Sequence, residues 1–239
     1  MDTLYVIIPA YNEEQNIEEV VNEWYPVVCR HSNDGKSRLV VIDDGSRDGT
    51  YHLLEKMAVT RPYLVPLTKP NAGHGPTLIM GYRYAAAHGA DYVFQTDSDG
   101  QTDPSEFEPF WDLRDRREAV FGYRPERGDG PVRAFVEKVL CLILRLIFGV
   151  RIPDANAPYR LMSLAFLKRY LPRLPENYNL PNVMLTVYGA YDRREIEFLP
   201  ISFRNRRGGV NSVNMRKITG IGLSAISDFI RFRRHMKNR

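Results

Sequence analysis

The chain has 239 residues with 44% hydrophobic and 26% charged side chains, enough for one sizeable α/β core and ordinary for a globular protein. Net charge is +4, and it is uneven: from Arg204 onward the chain is dense in Arg and Lys against the one acid Asp228. This excludes a disulfide scaffold, since there are two cysteines, Cys29 and Cys141, both inside apolar periodic stretches and expected to be buried, reduced thiols. No run reaches the roughly 18 apolar residues that crossing a bilayer needs; the longest, Val139 to Phe148, is interrupted by Arg145.

The opening segment Tyr5–Ile8 reads as a buried strand with no basic leader before it, so a signal peptide is not expected. Ile17, Val20, Val21, Trp24 and Val28 then recur at helical spacing. Leu39–Ile42 is a second strand, and Leu53, Leu54 and Met57 mark a second helix. Leu64–Leu67 is a third strand, 75–88 a third helix and Tyr92–Gln95 a fourth strand. Strands alternating with helices predict a mostly parallel sheet covered on both faces. Such sheets bind ligands beyond the carboxyl ends of their strands.

All four strand ends are polar. After the first comes Pro9-Ala10-Tyr11-Asn12-Glu13-Glu14, and after the second Asp43-Asp44-Gly45-Ser46-Arg47-Asp48-Gly49-Thr50. After the third comes Lys69-Pro70-Asn71-Ala72-Gly73-His74-Gly75, and after the fourth Asp97-Ser98-Asp99-Gly100-Gln101. Residues two apart leaving a strand can point the same way. Asp97 and Asp99 therefore suit a hard cation, Mg2+ or Mn2+, which also takes diphosphate oxygens. Gln101 continues the spacing and offers a neutral oxygen. One of Asp43 and Asp44 is expected to accept hydrogen bonds from a nucleobase or ribose hydroxyl, whereas Asp48 reads as a helix cap and Glu13 equally as a first-turn acid. Gly73 and Gly75 permit close backbone approach, and His74 reads as a loop residue.

Assembled, these loops resemble those of family 2 glycosyltransferases with the nucleotide-diphosphosugar-binding (GT-A) fold, within them most the polyprenyl-phosphate sugar transferases of the dolichol-phosphate mannosyltransferase-like group. The resemblance is close over the first half of the chain, where Pro104 also matches. It is looser afterwards. Gly122-Tyr123-Arg124 is similar to the group's arginine-bearing strand end, and Arg133 falls where a second acceptor-phosphate arginine is expected. Asp154-Ala155-Asn156-Ala157-Pro158-Tyr159-Arg160 has Ala157-Pro158 in place of the usual Ser-Gly. Pro200-Ile201-Ser202-Phe203, Arg206 and Gly209 resemble the group's Phe-x-x-Arg-x-x-Gly-x-Ser loop, with Asn211 for Ser and Ser212 for Lys.

The resemblance implies that Pro9, Tyr11, Glu13 and one of Asp43 and Asp44 hold the nucleoside, with Asn71, Gly75 and Ser98 completing the donor set. It implies Asp97, Asp99 and Gln101 at the metal, Arg206 at the diphosphate, and inversion of the anomeric centre by direct displacement. The donor is then a UDP- or GDP-linked sugar. An anionic lipid-phosphate acceptor needs cations, for which Arg124, Arg133, Arg160 and Arg206 are candidates. A sugar-hydroxyl acceptor, as in cell-envelope polysaccharide synthesis, needs a carboxylate base, and Asp154 is the best placed; it reads equally as a turn acid.

The expected division is 1–210 as the GT-A domain, with a donor half 1–120 and an acceptor half 121–210, followed by a basic amphipathic helix over 211–239. Val132–Phe148 is apolar nearly all round, and Ile218, Ile221, Ala225, Ile226, Phe229 and Phe232 form a stripe beside Arg231, Arg233 and Arg234. These helices predict peripheral contact with the cytoplasmic face of a membrane, or packing on the core or a second subunit. Two rivals remain. A nucleotidyltransferase usually opens with a glycine-rich basic loop, which Pro9–Glu14 is not. A non-catalytic lipid- or RNA-binding module leaves the polar strand ends unexplained, and no nucleic-acid partner is expected.

Overall fold

The computed structural model of the protein describes residues 2–32, 34–126, 131–204 and 215–237, with the side chains of 131–133, 215–223 and 237 outside that description. The first half follows the expected alternation. Strand β1 (Leu4–Ala10) leads into α1 (Ile17–Arg30), β2 (Arg38–Asp43), α2 (Thr50–Ala58), β3 (Leu64–Thr68), α3 (His74–Ala87) and β4 (Tyr92–Thr96). A short helix α4 (Phe107–Trp111) precedes β5 (Ala119–Tyr123), α5 (Pro131–Phe148), β6 (Tyr159–Ser163), α6 (Leu164–Tyr170), α7 (Pro181–Tyr191), β7 (Ile196–Pro200) and α8 (Met215–Lys237).

The strands form one sheet in the order β3-β2-β1-β4-β6-β5-β7. β6 alone runs antiparallel, between β4 and β5. Six strands thus end at one edge, and β6 begins there. Alternate residues of β1 show why the sheet is covered on both sides. Leu4, Val6 and Ile8 pack with Trp24, Leu54 and Phe107 on the face of α1, α2 and α4. Tyr5 and Ile7 pack with Leu78, Tyr82 and Val183 on the other face, under α3 and α5–α8.

Two sequence expectations change here. Cys29 is exposed on α1, because the buried stripe passes through Val27 and Val28 and leaves position 29 on the outer face. Cys141 is partly buried, and burial together with Glu137 pushes its thiol up to about 12. The apolar stripe of α8 packs inward: Ala225, Phe229 and Phe232 are buried, Phe229 stacks edge-on against Phe148 at 6.1 Å, and the Arg233 guanidinium donates to the Ile147 carbonyl at 3.1 Å. The side chains of Ile218 and Ile221 lie outside the described residues. The exposed apolar face belongs instead to α5, where Phe135 (67% exposed), Val139, Leu142 and Leu146 (77%) succeed one another along the helix.

Candidate active site

The β1 and β2 loops are locked together at the sheet edge. Asn12, in the left-handed region at φ 54°, donates its backbone N–H to Ser46 Oγ at 2.8 Å and accepts from the Arg47 N–H at 2.8 Å. Glu14 accepts from the Gly49 N–H at 3.1 Å, and Asp48 accepts from Glu14 and from Thr50, the first residue of α2; the helix cap position itself is Gly49, so Asp48 ties the loops together without being the cap. Pro9 is the last residue but one of β1, and Tyr11, just past the strand end, is partly exposed. Glu13 is buried, accepts from Asn16 Nδ2 at 2.7 Å, and its carbonyl starts α1.

The two aspartates at the end of β2 do different work. Asp43 stands opposite Thr68 in register, accepts its hydroxyl at 2.9 Å and also accepts the Ser46 N–H. Asp44 grips the whole β3 loop: it pairs with Lys69, accepts the Ala72 and Gly73 N–H groups at 2.9 and 2.8 Å, and its carbonyl takes Asn71 Nδ2 at 2.8 Å. Gly45, at φ 67°, lets this happen, since a Cβ there would stand 2.8 Å from the Asn71 nitrogen. The sequence singled out Asn71 and Asp44 as ligand candidates; in the fold they hold each other. Gly75, read as a donor contact, packs against the chain itself, because a Cβ would meet the Tyr178 and Asn179 carbonyls at 2.3 and 2.6 Å.

The β4 loop lies beside the start of α3. His74 is the first residue of that helix, not a free loop residue, and its Nε2 lies 3.1 Å from Asp97 Oδ1. Partial desolvation pulls the half-exposed His74 imidazole down, but Asp97, helped by Asp99 and Asp44, outweighs it and holds its pKa above the ordinary value. Asp97 Oδ1 also accepts Gln95 Nε2 at 3.2 Å, while Oδ2 takes no hydrogen bond among the described residues. Asp99 accepts the Gln101 N–H at 3.1 Å, and Ser98 is buried between the two acids. Gln101 is buried with its Nε2 donating to the Arg204 carbonyl at 2.7 Å, so its side chain ties this loop to the segment after β7.

No group of three or more His, Cys, Asp or Glu side chains among the described residues could hold a metal by itself. Mg2+ and Mn2+ do not require one: a pair of carboxylates, completed by phosphate oxygens and water, is a usual magnesium set. Asp97 and Asp99, hard oxygen donors at the open edge, fit such a cation.

On the other side of the edge, the two residues proposed for different tasks are partners. Arg124 Nε and Nη2 donate to Asp154 Oδ2 and Oδ1 at 2.7 and 3.0 Å, with both side chains about 95% buried. Asp154 also accepts the Asn156 N–H, and the guanidinium lies 4.9 Å from the Phe203 ring. Arg160 is fully buried over Phe121 at 3.9 Å, donates to the Asn182 carbonyl and Thr186 Oγ1, and burial lowers its pKa to about 10. A guanidinium without exposed surface does not touch an acceptor, which corrects the binding role expected of it. The Arg133 side chain and Arg206 lie outside the described residues. Lys69, Gln95, Asn182 and Arg204 were missed by sequence reasoning; only Lys69 carried a signal, as the one cation in the β3 loop.

The model of glycosyl transferase family 2 matches residues 5–171. The chain is 29% identical over 187 residues to the UDP-N-acetylglucosamine–dolichyl-phosphate N-acetylglucosaminyltransferase of Methanococcus voltae, covering 69% of this chain and 71% of that one. It is 27% identical over 219 residues to the polyprenol monophosphomannose synthase of Mycolicibacterium smegmatis, covering 87% and 80%. Among solved structures, glucosyl-3-phosphoglycerate synthase from Mycobacterium tuberculosis, in complex with Mn2+, UDP-glucose and phosphoglyceric acid, aligns with a TM-score of 0.70 at 22% identity over 97% of this chain and 79% of that one. That likeness establishes the fold as GT-A.

Proposed function

The chain belongs to glycosyl transferase family 2 and is a glycosyltransferase, and from that premise we propose that it moves a sugar from a nucleoside-diphosphate sugar to a polyprenyl phosphate at a membrane surface, with a divalent cation. The observation that carries the donor half is the convergence of four polar loops on one sheet edge, with Asp97 and Asp99 beside the start of α3. When bound, the cation neutralises the charge gathering on the departing diphosphate. Asp97 and Asp99 would hold it, the locked β1 and β2 loops would cradle the nucleoside through Pro9, Tyr11, Glu13 and Asp43, and the family resemblance assigns Arg206 to the diphosphate. The relative that acts on dolichyl phosphate is named for a UDP-sugar, and the synthase in the aligned structure holds Mn2+ with UDP-glucose.

The acceptor reading rests on Asp154. A sugar hydroxyl must lose a proton to a base as it attacks, whereas a lipid phosphate arrives as an anion. Both Asp154 oxygens are taken by Arg124, an arrangement suited to fixing a guanidinium and poorly suited to receiving a proton. Among the described residues no helix is long and apolar enough to cross a membrane. The exposed face of α5 carries Phe135, Val139, Leu142 and Leu146 with the cations Lys138 and Arg145 and no acid, a composition suited to lying on an anionic lipid surface. We place that contact on the cytoplasmic face.

The test is a screen of UDP- and GDP-sugars for Mn2+- or Mg2+-dependent transfer to detergent-dispersed polyprenyl phosphate and, in parallel, to soluble sugars. Transfer to the lipid is expected. Full activity on a soluble hydroxyl acceptor, with none on the lipid, overturns the acceptor assignment; transfer unchanged in excess EDTA overturns the metal.

A further inference from the structure

A file of buried polar side chains leads from the core to the metal loop. Tyr82 Oη donates to Asn182 Oδ1 at 2.9 Å, Asn182 Nδ2 donates to Gln95 Oε1 at 3.0 Å, and Gln95 Nε2 donates to Asp97 Oδ1 at 3.2 Å. Tyr82 and Gln95 have no exposed surface, and Asn182 has 2%. The direction of the file is dictated by its end. An ionised carboxylate only accepts, so Gln95 must present its nitrogen to Asp97 and its oxygen to Asn182. Asn182 must then present its nitrogen to Gln95 and its oxygen to the tyrosine hydroxyl. Each amide has one orientation that satisfies both neighbours, so none can flip without stranding a buried polar atom.

The base of the file is itself anchored. Asn182 lies in the first turn of α7, and its carbonyl accepts from Arg160 Nη2 at 3.2 Å and Thr186 Oγ1 at 2.9 Å. Gln95 stands opposite Arg160 in the β4–β6 ladder. Neighbouring positions of β4 are filled by Val93 and Phe94, so an apolar residue at 95 would serve packing as well. What the amide adds is a second donor on Asp97 Oδ1, beside His74 Nε2. With Oδ1 held by both, the other oxygen takes no hydrogen bond among the described residues, on a side chain that keeps 27% exposure.

We propose that Asn182, acting through Gln95, is a positioning residue that sets the rotamer of Asp97 and so tunes how tightly the site holds its divalent cation. The inference rests on the reading of Asp97 as a metal ligand. Hydrogen-bond partners standing behind a ligating carboxylate typically contribute about 10- to 100-fold in metal affinity or activity.

The experiment titrates Mn2+ into the full chain, following loss of the free-ion EPR signal, with UDP or GDP present, and records the melting temperature without metal. Gln95→Leu and Asn182→Leu are each expected to weaken Mn2+ binding about tenfold. The double variant should be no weaker than Gln95→Leu alone, because both act along one file. Unchanged Mn2+ affinity in these variants, even with a lowered melting temperature, overturns the proposal. If Asn182→Leu does not fold, Tyr82→Phe removes one hydroxyl and should still weaken Mn2+ binding severalfold; wild-type affinity there overturns it equally. Asp97→Asn separates the two readings. If it abolishes Mn2+ binding while the Gln95 and Asn182 variants bind normally, the positioning role fails alone. If it too binds normally, the metal site itself is wrong.

Discussion

The two halves of the sheet edge handle charge in opposite ways. On the β1–β4 side, Asp43, Asp44, Asp48 and Glu14 are satisfied mainly by backbone N–H groups of their own and neighbouring loops, so the acids build a frame from main chain. On the β5–β6 side, Arg124 and Asp154 are buried against each other, and Arg160 is buried against aromatic and carbonyl groups. Losing an acid held by amides strands neutral N–H groups, at about 1–3 kcal/mol each. Losing one partner of a buried ion pair strands a charge and costs more, at Arg124 with Asp154 as at Lys69 with Asp44.

That contrast is sharpest at Asp99. Its Ala variant is expected to lose more than about a hundredfold of sugar transfer, an effect of the size seen when a group stabilising developing charge is removed, while the melting temperature stays near wild type. Wild-type turnover there breaks the metal assignment. Asp154→Ala should do the reverse and cost about 3–5 kcal/mol of stability, measured by urea unfolding, by leaving Arg124 buried and unpaired. An Asp154→Asn variant that keeps its stability and loses all transfer would instead restore the general-base role.

Leu142→Asp with Leu146→Asp leaves both edges of the sheet intact and asks whether α5 faces lipid. About a tenfold or greater loss of sedimentation with anionic vesicles is expected, since each leucine contributes roughly 1.5–3 kcal/mol when taken out of water. Unchanged sedimentation would move the membrane contact elsewhere. The smallest effect concerns the cysteines, one in each half. At pH 8 iodoacetamide should label Cys29 and spare Cys141, because a pKa raised to about 12 leaves the latter almost wholly protonated. Equal labelling would mean that α5 opens.

Legibility followed the range of the interactions. The first four strands and the helices between them were readable because each buries a periodic apolar set within one short segment. The polar loops were readable as a set because strand ends of a parallel sheet share an edge. The sequence could not say how Asp43 and Asp44 divide their partners, since both are buried and Lys69, Ala72 and Gly73 of the β3 loop close over Asp44 alone. Arg160 looked like a ligand arginine because nothing local shows that Phe121 and α7 cover it. The stripe on α8 left membrane contact and packing both open because its partner, α5, lies about seventy residues earlier in the chain.

By itself the amino-acid sequence determined the parallel α/β layout, the four strand-end loops and the acidic pair Asp97 and Asp99. All of these depend on side-chain chemistry and spacing within a few residues. Only the tertiary structure decided that Asp154 holds Arg124, that Gln101 ties two loops together, that α5 presents the exposed apolar face and that Asn182 stands behind Asp97. Those are contacts between segments far apart in the chain. Their partners are chosen by which strands become neighbours, and no local pattern of residues encodes that choice.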